Sequence, residues 1–240
     1  MTAEHAIPDL VFTVTGVEPE RFAAVPTLRF GLEIGRAGGG PVRSVTLTTA
    51  IRVDVARRRY DAAEQRALAE LFGEPQRWGS SVRPLSWTQV TLVVPPFDKS
   101  TTVHLSVPCT YDTELAVTKY LRAVRDGDVP LDFLFNGTIF YEAPGGGMGT
   151  AQISWSRDAR YRMPAGLWHE LIDRYFGGSP WLRLSRETYD RLDAYRTGEV
   201  HVGWDETVRS LLDAASDGRK SPAVTDMSAP PATAGAPWTQ

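Results

Sequence analysis

The stretch from Trp78 to Tyr111, WGSSVRPLSWTQVTLVVPPFDKSTTVHLSVPCTY, decides our interpretation of the fold. It contains two apolar runs of strand length, Trp87–Val94 and Thr101–Val107, separated by Pro95-Pro96. Since proline has no backbone N–H to donate to a strand ladder, the first run has to end there. We therefore predict a central β-hairpin that is mostly scaffold, preceded by a loop that is a candidate contact surface.

Three segments before this hairpin alternate apolar and polar residues. Leu10–Gly16, Thr27–Gly35 and Val42–Val55 are typical of strands in one antiparallel sheet with a solvated face. After the hairpin, Val129–Glu142 keeps one parity through Asn136-Gly137. This pattern favours one long strand with a glycine bulge, and a type I′ hairpin turn at the same dipeptide is the alternative.

Helical periodicity is found on both sides of the central hairpin. Asp61, with Glu64 three residues later, predicts a capping box for a helix that ends at Gly73. A second helix is expected to open at Asp112, because apolar residues then recur at helical spacing, namely Val117, Tyr120, Leu121 and Val124.

The pattern changes towards the C-terminus. Ala151–Trp155 is the last predicted strand, and helices are expected from Arg162 onwards, with Pro164 in the first helical position. Ser185 and Asp205 predict the N-caps of two further helices. The apolar stripe of the first of these three helices is expected to be buried, and it consists of Trp168, Leu171, Ile172 and Tyr175.

Together these elements predict an α+β protein: an antiparallel, immunoglobulin-like β-sandwich with two inserted helices and a helical C-terminal part. We predict a single domain over residues 1–215, with the sandwich at 9–156 and a packed helical part at 157–215. Trp155, Trp168 and Trp181 are the expected packing residues at their junction. Residues 216–240 are rich in Pro and Ala and are expected to be a disordered tail.

The composition argues against several classes of function. With 29 acidic and 26 basic residues and a net charge of −3, the chain lacks the basic excess of a general nucleic-acid binder. It has no signal-peptide pattern at MTAEHAIPDL and no apolar run near the ~18 residues needed to span a membrane. The single cysteine fits a reducing compartment. We expect a cytoplasmic protein with neither a nucleic-acid partner nor a membrane span.

Two places could carry chemistry, and at both a structural role is favoured. Cys109 lies near the start of an expected helix and could be a reactive thiol, or else a small apolar core residue. His169 and Asp173 share a helix face, but Asp stands where a zinc-binding helix needs its second histidine. Arg57–Arg59 is interpreted as a solvated strand end rather than a phosphate clamp. The sequence thus predicts no catalytic residue, no metal site and no cofactor.

The loop from Gln76 to Trp87 supplies the candidate binding residues Arg77, Trp78 and Arg83. Tryptophan and arginine are the residue types enriched at interface hot spots. Trp87, at the end of the loop, is assigned mostly to the core, whereas Trp78 lies among Gly, Ser and Arg and has the better chance of exposure.

Five segments also have a familiar pattern: VPTLRFGLEI, RRRYDAAEQRALAELFGEPQRWGSSVRPLSWTQVTLVVPPF, VPCTYDTELAVTKYL, GDVPLDFLFNGTIFY and WHELIDRYFGGSPWLRLSRETYDRL. They resemble an uncharacterised actinobacterial family that is often encoded beside nickel-iron hydrogenase structural and maturation genes. The resemblance runs from Leu10 to Leu212. It supplies no binding or catalytic residues, and it implies a role in assembling, stabilising or tethering a hydrogenase complex.

The leading hypothesis is therefore a non-enzymatic accessory protein that acts through protein–protein contact, with a hydrogenase subunit or maturation factor as its partner. One alternative is a small-molecule or lipid carrier with a cavity of at least ~300 Å³ between the sheet and the helices. The other is a thiol-dependent enzyme using Cys109, or a metal-dependent one using His169 and Asp173.

Overall fold

The computed structural model describes residues 7–110, 112, 115–143, 146–177 and 184–220, with side chains as far as residue 217. The chain divides into two compact units, residues 1–181 and residues 182–240, and each is described by itself. Trp181 and residues 221–240 of the predicted tail lie outside the described residues.

The first unit is a mixed α+β structure built on two antiparallel sheets. Its described strands are β1 (Asp9–Pro19), β2 (Thr27–Gly38), β3 (Val42–Val53), β4 (Leu85–Val94), β5 (Ser100–Pro108), β6 (Asp128–Glu142), β7 (Met148–Gln152) and β8 (Asp158–Pro164). The smaller sheet has the order β1-β2-β5. The larger sheet has the order β4-β3-β6, and both β7 and β8 pair with the free edge of β6.

The two sheets pack face to face through aromatic rings. Phe12 of β1 stacks on Phe135 of β6 with ring centroids 4.2 Å apart, and Phe30 of β2 meets Phe133 edge-on at 5.3 Å. All four side chains are buried. Because strand side chains alternate between the two faces of a sheet, the inward residues of both sheets merge into one core.

The predicted central hairpin is wrong. β4 pairs with β3 in the larger sheet, whereas β5 pairs with β2 in the smaller one, so the connection after Val94 crosses between the sheets. The connection from β2 to β3 also crosses, and the first three strands do not form one sheet. The alternation of apolar residues fixes which face of a strand is buried, but strands of either sheet satisfy it equally well.

β6 is one continuous strand, as predicted, and the alternative hairpin turn at Asn136-Gly137 is wrong. The register of β6 against β3 is unbroken at Gly137, so no bulge is present there. Gly137 has φ +144°, and a Cβ at this position would lie 2.0 Å from the carbonyl oxygen of Thr46. The glycine is required by the close approach of the two strands, not by a bulge.

The helices between the strands are α1 (Ala62–Phe72), the short α2 (Trp78–Ser81), α3 (Ala116–Ala123) and α4 (Ala165–Phe176). The capping box at α1 is confirmed, since the Asp61 carboxylate accepts from the Glu64 N–H at 2.8 Å and the Glu64 carboxylate accepts from the Asp61 N–H at 3.2 Å. Gly73 ends α1 as predicted. α3 begins at Ala116 rather than at Asp112, but its predicted apolar stripe is buried.

The change from strands to helices, predicted at residue 157, occurs later in the chain. Residues 158–164 form β8, which extends the larger sheet, and α4 begins only at Ala165 with Pro164 at its N-cap position. Three members of the predicted α4 stripe, Trp168, Leu171 and Ile172, are buried, and the fourth, Tyr175, is half-buried. Trp155, predicted to pack at a junction, is 92% exposed instead.

The second unit contains α5 (Arg186–Gly198) and α6 (Trp204–Lys220). The Ser185 hydroxyl accepts from the Thr188 N–H at 3.2 Å and confirms the predicted N-cap of α5. Asp205 is not a cap, because α6 already begins at Trp204. Residues 216–220, assigned to a disordered tail, continue α6. Their Asp, Gly, Arg and Lys lack apolar periodicity, and the preceding turns of α6 extend the helix through them.

Candidate functional site

Helix α2 holds the loop that was predicted to contact a partner. The ring of Trp78 lies 5.4 Å from the rings of both Tyr60 and Phe72, and its indole N–H donates to the carbonyl of Gly73 at 3.0 Å. Trp78 is therefore half-buried and fastens this loop to α1. Arg77 and Arg83 are exposed, and their role in binding stays a prediction.

Two of the three arginines at the end of β3, Arg57 and Arg58, are paired within the protein, whereas Arg59 is exposed as the strand-end interpretation predicts. Arg57 pairs with Asp54 at 2.7 Å and with Asp132 at 3.0 Å. Arg58 pairs with Glu64 at 2.5 Å, and both of these side chains are only 11% exposed. Arg58 also donates to the carbonyl of Asp128 in β6 at 2.8 Å, so it links α1 to the larger sheet. The guanidinium groups of Arg57 and Arg58 are thus already engaged within the protein.

The thiol of Cys109 lies in an environment that disfavours its reactive form. The residue is buried, its thiol donates to the carbonyl of Val107 at 3.6 Å, and burial raises its pKa to about 12. A reactive cysteine needs the opposite, a lowered pKa that populates the thiolate near neutral pH. The surroundings of Cys109 match the core interpretation of this residue.

His169 and Asp173 are not joined by further ligands. The His169 Nε2 lies 2.9 Å from the carbonyl oxygen of Val124, and Asp173 is exposed. Within the described residues no group of three or more His, Cys, Asp or Glu side chains could hold a metal ion. In the same part of the chain, no helix combines the length and the apolar character that a membrane crossing requires.

A cleft of about 450 Å³ lies in the first unit where α3 and α4 meet the strand ends near Trp87 and Cys109. Its inner wall includes Trp168 and Leu121, and exposed residues such as Leu115 line its rim. The volume exceeds the ~300 Å³ that a carrier would require. Sequence reasoning assigned Trp87, Cys109 and Trp168 to scaffold, and helical and strand patterns gave no signal that they line one cleft.

The second unit exposes an apolar surface that the sequence reasoning missed. We define the C-terminal apolar surface by the exposed residues Tyr189, Val200, Val202, Trp204, Val208, Leu211 and Leu212. The rings of Tyr189 and Trp204 lie 5.3 Å apart, and the Arg196 guanidinium covers Trp204 at 4.9 Å. The α6 members recur at helical spacing, a pattern that predicts one apolar face but not whether that face is buried.

Val200 is the unusual backbone position of this surface. It has φ +59°, and among the described residues it is the one non-glycine with a positive φ. Its N–H donates to the carbonyl of Thr197, and the His201 N–H donates to the carbonyl of Arg196. These two bonds form a Schellman motif at the end of α5. Glycine is usual at this position, because a β-branched residue is strained there.

Comparisons with known proteins identify the family but not the activity. No curated protein matches the sequence. Among solved structures, the CARDB domain of the PF1109 protein from Pyrococcus furiosus is 10% identical, with 68% of this chain and 93% of that chain covered and a TM-score of 0.28. β-Glucosidase 3B from Thermotoga neapolitana is 11% identical over 65% of this chain and 17% of its own, with a TM-score of 0.25. Scores this low carry no argument about the fold.

The sequence itself gives a firmer result. The model of a family of unknown function, DUF6084, matches residues 7–220, and this range includes both units of the chain. This match confirms that the chain resembles an uncharacterised family. Since the matched range is most of the 240 residues, the chain belongs to the DUF6084 family.

Proposed function

We propose that this protein is a non-enzymatic accessory protein that acts in the cytoplasm by binding another protein. The observation that carries the proposal is the concentration of exposed apolar side chains in the second unit. Of the fifteen large apolar residues exposed in the described part of the chain, seven lie between Tyr189 and Leu212. Apolar patches that a soluble chain leaves uncovered commonly mark interaction sites.

The arrangement on α6 suits an anchor for a partner. Trp204, Val208, Leu211 and Leu212 follow the i, i+4, i+7, i+8 spacing by which amphipathic helices dock in apolar grooves. Trp204 is a residue type enriched at hot spots, and its contacts with Tyr189 and Arg196 hold the ring in place before a partner binds. Less side-chain entropy is then lost on association.

The partner in this proposal is a nickel-iron hydrogenase subunit or a maturation factor of that enzyme. The resemblance to a family encoded beside hydrogenase genes supports this choice. The charges beside the apolar stripe add a requirement, because Asp205, Glu206 and Asp213 outnumber Arg209 in the part of α6 that carries the stripe, residues 204–213. A complementary partner surface therefore combines an apolar groove with a basic rim.

The proposal makes two statements about the first unit, one on its fold and one on a second contact. Its two packed antiparallel sheets, with connections that cross between them, support its placement in the immunoglobulin-like class of sandwiches. Arg77 and Arg83 form a second, smaller contact in the proposal, because both are exposed beside the anchored Trp78.

The test is affinity purification of the full chain from its native host, followed by mass spectrometry. The wild-type chain is expected to recover a hydrogenase subunit or maturation factor. Leu212→Glu places a charge on the C-terminal apolar surface and is expected to abolish that recovery. Val93→Glu is the control, because Val93 is an exposed apolar residue of β4 that lies outside this surface.

The outcomes separate the two parts of the proposal. If the wild-type chain recovers no hydrogenase component, the partner assignment is wrong. If Leu212→Glu and Val93→Glu recover the partner equally well, the C-terminal apolar surface is not the contact. Circular dichroism of both variants establishes that neither result reflects unfolding.

A further inference from the structure

The cleft between the strands and helices of the first unit has the character of a binding site for a neutral molecule. None of the described side chains that line it is charged, and most of the lining surface is apolar. The basic residues of α3, Lys119 and Arg122, line a different cleft that faces α1. A carboxylate or phosphate would therefore enter without a counter-charge, which is costly in an apolar site.

Two residues of the cleft wall carry a hydrogen-bond donor. Trp168 is 3% exposed and Thr118 is 5% exposed, and both line the cleft. The Trp168 indole N–H and the Thr118 hydroxyl are hydrogen-bond donors, and neither is among the solvent-shielded polar atoms that lack a partner in the described part of the chain. A ligand acceptor in the cleft would pair with these donors in place of water.

The size of the cleft limits the ligand. An engineered apolar cavity of ~150 Å³ holds one benzene, so about 450 Å³ accommodates up to roughly 18 non-hydrogen atoms. We propose that this cleft binds a small, neutral, mainly apolar molecule that carries a hydrogen-bond acceptor. The site is separate from the C-terminal apolar surface, and its occupancy does not require a protein partner.

The direct test is a fluorescence titration of the full chain with prodan, a neutral naphthalene ketone of suitable size. We expect saturable one-to-one binding with a blue shift of the prodan emission. The anionic dye 1-anilinonaphthalene-8-sulfonate is expected to bind at least tenfold more weakly, because none of the described lining residues is a cation. Absence of saturable prodan binding up to its solubility limit would overturn the proposal.

Three variants test whether the binding is in the cleft. Ala116→Phe fills the cleft from α3 and is expected to weaken prodan binding at least tenfold, whereas Ala69→Phe, the same change on the exposed face of α1, leaves it unchanged. Equal binding by both variants would mean adventitious surface binding and would also overturn the proposal. Thr118→Val is expected to weaken prodan about fivefold but to leave naphthalene, which has no acceptor, unaffected.

Discussion

Helices α4 and α6 carry the same kind of apolar stripe and end in opposite environments. In α4 the stripe contains Trp168 and Leu171, which are 3% and 0% exposed. In α6 the corresponding residues, Trp204 and Leu211, are 39% and 38% exposed. Both helices belong to one chain, and both stripes satisfy the periodicity of an amphipathic helix.

The difference shows that an apolar stripe predicts which face of a helix favours burial, but it does not identify the surface that buries it. α4 is covered by the sandwich of its own unit, with His169 also bonded to the backbone at Val124. In our proposal, a partner protein covers the exposed apolar stripe of α6. Four experiments test how far this contrast extends, and each pairs a substitution with a counterpart or control.

The largest difference is expected for the same substitution in the two helices. Leu171→Ala removes a fully buried side chain and is expected to lower the free energy of unfolding by about 2–5 kcal/mol. Leu211→Ala is expected to lower it by less than about 1 kcal/mol, because water already covers part of this side chain. Urea unfolding of each variant measures both values, and equal losses would refute the contrast.

The ion pairs give the second test. Glu64→Gln leaves the buried Arg58 guanidinium without its charged partner and is expected to lower the free energy of unfolding by about 3 kcal/mol. Asp205→Asn breaks the exposed pair with Arg209 and is expected to change it by less than about 0.5 kcal/mol. Thermal and urea unfolding measure both. If Glu64→Gln is as harmless as Asp205→Asn, the Arg58–Glu64 pair does not hold α1 to the sheet.

The third test uses the titration of Cys109. Its folded pKa is raised by burial to about 12, above the value of about 9 for an unperturbed thiol, so unfolding releases a proton between these two values. Stability from this group is therefore complete below pH 9 and is lost as the pH rises towards 12. The loss is about 2 kcal/mol at pH 10.5.

The control for this titration is Cys109→Ala, which removes the ionisable group. The difference in unfolding free energy between the wild type and this variant is expected to fall between pH 9 and pH 10.5. Tyrosines titrate in both proteins and cancel in the difference. A difference that does not change with pH would mean that the thiol is accessible to water and ionises in the folded protein.

The smallest effect is expected at Val200, and it has the opposite sign. Val200→Gly removes the strain of a β-branched residue at φ +59° and is expected to raise the free energy of unfolding of the second unit by about 1 kcal/mol. Val202→Gly, the same change at an exposed residue with no positive φ, is expected to be neutral or slightly destabilising.

The result at Val200 also bears on binding. If the strained valine is retained for contact with a partner, Val200→Gly stabilises the chain while weakening the partner interaction. Thermal unfolding and partner recovery are measured on the same variant. A variant that is less stable than the wild type would show that the positive φ carries no strain.

Local features of this fold were determined by the sequence alone. The capping box of Asp61 and Glu64, the helix end at Gly73 and the N-cap at Ser185 each depend on atoms a few residues apart. The buried stripes of α3 and α4 were likewise readable, because helical spacing fixes which side chains share a face. Burial raised the pKa of Cys109, in agreement with the core interpretation of that residue.

Only the tertiary structure decided which strands pair and which apolar faces are covered. β4 and β5 were predicted as a hairpin because they are adjacent in sequence, yet each pairs with a different sheet. Alternation specifies a buried face but not the neighbouring strand, since strand pairing depends on contacts far apart in the chain. For the same reason the sequence could not reveal the cleft beside Trp168 or the exposure of α6, both of which depend on the positions of several elements at once.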